Sequence, residues 1–232
     1  MNAPARIPPM DEAVIGWDVG GAHLKTARIE RDGKVSGVWL VPCALWRGLD
    51  QLHQAIDRIE ATMQAGDACV HAVTMTGEMV DLFETRQAGV QALATLMSQR
   101  LGADRVRFYA GGQGWYDAGQ AFQYAGRVAS ANWHATAHLV STCVSEALLV
   151  DIGSTTTDLI PIRDGLVATP SSSDRDRLSA GELVYTGVAR TPLMALASEA
   201  PVAGHFTPLM AEHFATSADI YRILGLLPEQ AD

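Results

Sequence analysis

The sequence predicts an α/β protein of two similar lobes, each a mixed sheet flanked by helices. Two observations carry that expectation. Short apolar runs of strand character alternate with stretches of helical apolar spacing along the 232 residues. In addition, one uncommon turn occurs twice: WDVGGA at 17–22 and VDIGST at 150–155 each close an apolar run with Asp-x-Gly. A shift of 133 positions lays Asp18 on Asp151, Gly20 on Gly153, Gly21 on Ser154 and Ile29 on Ile162. The triplets Arg31-Asp32-Gly33 and Arg163-Asp164-Gly165 match after a one-residue slip. A strand–turn–strand unit found twice in one chain implies a lobe found twice.

The elements follow in order. Residues 1–12 carry no hydrophobic segment of signal-peptide type and read as a flexible N-terminal arm. The first lobe, with a helical connection, spans 13–145. Residues 14–19 read as a buried strand and 23–30 as its hairpin return. After the Arg31-Asp32-Gly33 hairpin signal, KVSGVWLV gives a third strand. Leu49, Leu52, Ile56, Ile59 and Met63 give residues 49–65 a helical stripe. Residues 69–75 form a strand ending in polar groups at Thr76-Gly77-Glu78, 87–101 a helix and 105–110 a strand. Gly111-Gly112-Gln113-Gly114 lacks the dinucleotide spacing and reads as a loop between the halves. Residues 118–124 and 135–143 suit two helices. The second lobe, 146–232, has strands at 147–152 and 157–163 around the second turn, and LVATP after the second hairpin signal. Tyr185-Thr186-Gly187 sits at another strand end, and 211–224 reads as a packing helix.

The chemistry of the turn explains its composition. Glycine lets a backbone approach a ligand closely. Successive N–H groups at Gly20 and Gly21, and at Gly153, Ser154, Thr155 and Thr156 with their hydroxyls, form concave anion cradles. A carboxylate facing phosphate makes sense when it holds Mg²⁺, which takes one or two carboxylates plus phosphate oxygens. Asp18 and Asp151 are therefore candidate metal ligands, with Asp158 a third; capping of the turn is the alternative for Asp158. Two lobes facing one another would grip a polyphosphate and its metal from both sides. Lys25, at the repeat position of Asp158, is placed to neutralise a diphosphate oxygen, unless it is simply a solvated strand lysine.

Composition excludes several classes. A net charge of -9 without a basic stripe argues against nucleic acid. Three cysteines without metal spacing read as reduced thiols of a cytoplasmic protein. No apolar run reaches membrane-spanning length. His134 and His138 share a helix face but lack the glutamate of a zinc-protease helix.

The two turns resemble the phosphate loops of the actin-like ATPase superfamily, and so imply its ribonuclease H-like duplicated lobes. A closer resemblance runs along the whole chain. GWDVGGAHLKTA, TMTGEMVDLF, ASANWHATA, VDIGSTTTDLIPI, GELVYTGVARTP and AEHFATSADIYRILG together resemble the hydantoinase/oxoprolinase-related proteins of tetrahydromethanopterin-linked one-carbon metabolism. That resemblance implies a Mg²⁺-dependent transferase of methanofuran biosynthesis. It would condense an aminomethyl-furanmethyl diphosphate with the phenol of a γ-glutamyl-tyramine, giving an ether and pyrophosphate. It also implies further residues past Asp232, so the second lobe is expected to be C-terminally incomplete. Its partners would be the diphosphate and phenolic amine substrates, with a homo-oligomer left open. Under this reading Glu78 and Asp81 are candidates to accept the phenolic proton, because a phenol with a pKa of about 10 needs a base at neutral pH. Asn132 and Trp133 are candidates for substrate binding, as a cap and a stacking ring. Arg190 could meet a phosphate or the glutamyl carboxylate, or make a structural ion pair. An ATP-dependent kinase or oxoprolinase-type enzyme, and a non-catalytic polyphosphate-binding protein, are the alternatives.

Overall fold

The computed structural model describes residues 11–63, 69–171 and 173–228. Residues 1–10 of the expected arm, and 64–65 of the expected first helix, lie outside them. The chain divides into two compact units, Met1–Leu139 and Val140–Asp232.

The first unit is built on β1 (Ala13–Val19), β2 (His23–Ile29), β3 (Val35–Pro42), β4 (Cys69–Met75), β5 (Val106–Tyr109) and β6 (Trp115–Tyr116). The sheet order is β3-β2-β1-β4-β5-β6. β1 and β2 are antiparallel, as are β2 and β3, while β4 runs parallel to both β1 and β5. This is the ribonuclease H-like mixed sheet that the sequence implies. Alternation along β1 buries Ile15, Trp17 and Val19 on one face. Against the sheet pack α1 (Asp50–Thr62), through Leu52, Ile56 and Ile59, and α2 (Arg86–Leu101), through Val90, Leu93 and Met97. Thr85 caps α2 by accepting from the Ala88 N–H. Each of these buried aliphatic and aromatic side chains contributes about 1.5–3 kcal/mol. The unit continues with α3 (Ala118–Gln123), capped by the reciprocal Asp117–Gln120 box, then α4 (Ala125–Val128) and α5 (Asn132–Ser141), within which the two units divide.

In the second unit β7 (Ala147–Ile152) pairs antiparallel with β8 (Thr157–Arg163). Asp151 faces Asp158, and Ala147 faces Ile162; in the first unit Asp18 faces Lys25, and Val14 faces Ile29. The 133-residue repeat is therefore a repeat of strand register. The third strand differs. β3 runs the full length of β2, whereas β9 (Leu166–Val167) covers only the far end of β8. The chain then leaves through α6 (Asp174–Ala180) and returns as β10 (Leu183–Val184) on the near end of β8. Leu148, Val150 and Ile152 are 61%, 47% and 57% exposed, while their repeat counterparts Ile15, Trp17 and Val19 are at most 3% exposed. Among the described residues this face has its helical cover only in the first unit. Beyond α7 (Leu193–Leu196), β11 (Glu199–Val202) and β12 (His205–Pro208) form a separate ribbon, followed by α8 (Ser217–Ile223).

Several expectations need correction. Gly111–Gln113 is a tight helical turn inside the β5–β6 hairpin of the first unit, not a loop between halves. Asn132 is the first residue of α5 rather than a residue preceding it. The helix expected over 211–224 is confined to Ser217–Ile223, because Thr216 starts it with a capping box to Asp219. No helix among the described residues is long and apolar enough to cross a membrane.

Candidate active site

Asp18 lies near the carboxyl ends of the parallel strands β1 and β4, where open α/β sheets bind ligands. Register places it between Lys25 on β2 and Thr74 on β4. Lys25 Nζ stands 3.1 Å from Asp18 Oδ2, and the Thr74 hydroxyl donates to Asp18 Oδ1 at 3.2 Å. The lysine side chain is 61% exposed, so this pair adds little stability and leaves its charge accessible.

The first turn is closed by the Gly20 N–H donating to the His23 carbonyl at 3.1 Å. A Cβ on Gly20 would stand 2.8 Å from that same oxygen, which explains the glycine. The Thr76 N–H donates to the Val19 carbonyl at 3.0 Å and draws the end of β4 against the turn. The amides of Gly21 and Ala22 meet no protein acceptor among the described residues. Gly20 thus shapes the turn, and the next two amides are left open among the described residues.

Glu78 follows directly. It lies on a short helical turn, Gly77–Met79, and is 1% exposed. The Ser130 hydroxyl donates to its Oε1 at 2.8 Å and Arg86 Nε at 3.3 Å. Its Oε2 is buried without a hydrogen-bond partner among the described residues. Burial pushes the carboxyl up, opposed by the Ser130 bond and the Arg86 charge. Ser130 holds its place at φ 50, a left-handed conformation that is uncommon outside glycine. A carboxylate with one satisfied and one unsatisfied oxygen, raised towards neutrality, is suited to take a proton. Asp81 is exposed and makes no side-chain bond among the described residues.

The second turn repeats the first in detail. The Gly153 N–H donates to the Thr156 carbonyl at 2.8 Å, the Gly20–His23 bond shifted by 133. The amides of Ser154, Thr155 and Thr156 meet no protein acceptor among the described residues. Residues 186–190 brace this turn. The Val188 N–H donates to the Gly153 carbonyl at 3.1 Å, and those of Ala189 and Arg190 to the Ser154 carbonyl at 3.1 and 2.8 Å. The Arg190 side chain is exposed and makes no ion pair among the described residues. Asp151 is exposed at the end of β7. Asp158 pairs at 2.8 Å with the fully buried Arg177, which ties β8 to α6. Burial raises the Asp158 carboxyl and the Arg177 pair opposes it.

The structure thus groups Asp18, Lys25, Gly20 and Gly21 in one place, and Gly153, Ser154, Thr155, Thr156 and Arg190 in another. Asn132 and Trp133 open α5, where the Trp133 ring meets His134 edge-on at 5.3 Å. His134 Nδ1 is 2.9 Å from the Tyr109 hydroxyl and its ring stacks on His138; no metal-holding cluster of His, Cys, Asp or Glu occurs among the described residues. Sequence reasoning missed Ser130, Arg86 and Arg177. The Ser173–Asp176 cap pattern is the signal that could have placed α6 and hence Arg177.

The chain is similar to proteins of known name. The chain is 32% identical over 219 residues to the (4-{4-[2-(gamma-L-glutamylamino)ethyl]phenoxymethyl}furan-2-yl)methanamine synthase of Methanocaldococcus jannaschii, covering 94% of this chain and 63% of that protein. It is 43% identical over 82 residues to the synthase of the same name from Methanococcus vannielii, covering 35% of this chain and 36% of that protein. The chain therefore spans less than two thirds of the length of these curated relatives. Among solved structures, the ethanolamine utilization protein EutJ of Carboxydothermus hydrogenoformans is similar with a TM-score of 0.41 at 13% identity, over 71% of this chain and 52% of that one. The Hydantoinase/oxoprolinase family model matches residues 70–231, well over half of the sequence, and the chain belongs to that family.

Proposed function

We propose that this chain is a transferase of methanofuran biosynthesis. It joins an aminomethyl-furanmethyl diphosphate to the phenol of a γ-glutamyl-tyramine and releases pyrophosphate. The observation that carries this reading is the 32% identity to the Methanocaldococcus jannaschii synthase across 94% of this chain. That protein's name describes a phenoxymethyl-furan carrying a γ-glutamylaminoethyl arm, the ether such a condensation makes.

In the reaction the phenol oxygen bonds to the furanmethyl carbon as the carbon–oxygen bond to diphosphate breaks. The bonding pair leaves with the diphosphate, and the phenolic proton goes to a base. An electron-rich furan stabilises positive charge at that carbon, so stabilising the leaving group is the main demand. The Gly21 and Ala22 amides and the Lys25 ammonium supply positive character where that charge develops. Glu78, buried with one oxygen unpartnered among the described residues, suits the base better than the exposed Asp81.

Mg²⁺ fits the first turn in its donor set. Asp18 offers one carboxylate and Thr74 a hydroxyl. With no protein cage of three acidic or His/Cys ligands among the described residues, the remaining ligands would be diphosphate oxygens and water, as Mg²⁺ prefers. When bound there the ion would offset charge on the leaving diphosphate.

The test is to supply the furan diphosphate and γ-glutamyl-tyramine with Mg²⁺, and ATP in a parallel incubation, and to measure ether, pyrophosphate and ADP. Ether and pyrophosphate in equal amounts are expected. ADP formation without ether would replace this reading with an ATP-dependent one. Lys25→Met should slow the reaction with every nucleophile, whereas Glu78→Gln should spare a nitrophenol that is already ionised.

A further inference from the structure

Wholly within the first unit, between the start of α2 and the α3–α4 corner, lies a cavity of about 450 Å³, one of whose lining residues, Arg86, contacts Glu78. This volume falls in the range of small-molecule sites. Arg86, Gln87, Gln123, Tyr124, Arg127 and Ala129 are among its lining residues. The chain as a whole carries a net charge of -9, yet among the described residues this wall presents two guanidinium groups and no carboxylate.

The arginines are held differently. Arg86 directs Nε at Glu78 Oε1, 3.3 Å away. Arg127 has no ion pair among the described residues. Its Nη1 donates to two neutral oxygens, Tyr116 Oη at 3.0 Å and Gln113 Oε1 at 3.4 Å, and its guanidinium lies 5.2 Å from the centre of the Tyr124 ring. These contacts fix the planar group without neutralising it, which pre-organises it for a carboxylate. Gln87 and Gln123 add amides, whose carbonyl oxygens accept from an ammonium and whose NH₂ groups donate to a carboxylate. Guanidinium beside side-chain amides is the chemistry that holds an α-amino acid head group.

We infer that this cavity binds the α-amino-carboxylate end of the γ-glutamyl arm of the phenolic substrate, with Arg127 as the carboxylate anchor. The inference rests on the substrate reading given above. It adds a reason why the arm's acid group matters, and a geometry in which the same wall reaches the base. Arg86 contacts Glu78 directly, and Ala129 precedes Ser130, the other donor to Glu78. A substrate anchored by its head group would be held with its phenol towards that carboxyl, so Arg127 acts as a binding and positioning residue.

The test is calorimetric, with the full chain and three probes: γ-L-glutamyl-tyramine, tyramine and L-glutamate. The wild-type protein should bind γ-glutamyl-tyramine at least about tenfold more tightly than tyramine, with L-glutamate competing. Arg127→Gln should remove that tenfold preference while leaving tyramine binding unchanged. Gly126→Glu offers a second variant. A side chain there meets nothing within 4 Å, so the helix accommodates it, and a carboxylate brought to the cavity should repel the ligand's own. Equal binding of γ-glutamyl-tyramine and tyramine by the wild type would overturn the inference, as would a preference that survives both substitutions. The two readings separate cleanly. Ether formation with equal KM for tyramine and γ-glutamyl-tyramine would leave the reaction standing and remove the subsite. Carboxylate-dependent binding without ether formation would do the reverse.

Discussion

At the scale of single residues, the site shows where function conflicts with stability. Glu78 is buried with an oxygen that has no hydrogen-bond partner among the described residues, a costly arrangement for a carboxylate. Glu78→Gln keeps an acceptor for Ser130 and Arg86 and removes the buried charge. Thermal melts at pH 7.5 should therefore show the variant at least as stable as wild type, while ether formation from a tyramine-type phenol falls by about 10²–10⁴-fold. A destabilised variant with full activity would show a purely structural glutamate. A second buried residue should make stability depend on pH. Trp17 Nε1 donates to His71 Nδ1 at 3.0 Å, so the ring proton sits on Nε2, facing Cys69 Sγ at 3.7 Å. Burial pushes His71 down to about 4 from the ordinary 6.5. Between those values the unfolded chain binds a proton that the folded one does not. His71 therefore contributes stability above pH 6.5, and that stability is lost as pH falls through 4. The span corresponds to ~3 kcal/mol. Denaturant titrations should show this loss in wild type and a much flatter difference curve for His71→Asn, which keeps an acceptor near Nδ1 but cannot take up the proton. Some of this was legible in sequence and some was not. Asp18 and the glycines declare themselves through the repeat, and Glu78 through a polar strand end. Ser130, Arg86 and Arg127 come from other segments, and only the fold brings them to Glu78 and its neighbouring cavity.

At the scale of elements, the turns depend on backbone contacts too close for any side chain. A Cβ on Gly187 would stand 2.6 Å from the Gly153 carbonyl oxygen and from the Ser154 carbonyl group. All of these are backbone atoms, so the second cradle has to move. Gly187→Ala should cost about 1–3 kcal/mol and lower the melting temperature by several degrees. It should also weaken phosphate protection of the Ser154–Thr156 amides, read by hydrogen exchange, whereas Gly126→Ala, which faces open space, should do neither. An unchanged melt for Gly187→Ala would mean that the brace from 186–190 is dispensable. The paired hairpins were readable because their apolar alternation and Arg-Asp-Gly signals are local. The split third strand was not, since β9 and β10 are two residues each and only their common partner β8 makes them one strand position. The β11–β12 ribbon was hidden by Pro201, which argues against a strand, while Ala203 and Gly204 at φ 49 and 83 supply its turn.

At the scale of the whole molecule, the two units are unequal. The main buried cluster, from Ile15 to Val128, lies entirely in the first unit, while the matching face of β7 is exposed. Amide exchange should therefore be slowest in β1, β4 and β5 and several-fold or more faster in β7 and β8, through openings that leave the first unit folded. Uniform protection across both hairpins would contradict this. The sequence revealed the duplicated hairpins and their register, because register follows from pattern. It could not show that one copy lacks helical cover among the described residues, because apolar alternation is alike in Ile15-Trp17-Val19 and Leu148-Val150-Ile152. In the proposed reaction a phenol attacks the furanmethyl carbon as diphosphate leaves. The most direct test uses γ-glutamyl-tyramine with ¹⁸O in its phenolic hydroxyl and mass analysis of both products. All of the label is expected in the ether and none in pyrophosphate. Label in a phosphate product, or loss of the furan diphosphate without a labelled ether, would contradict it.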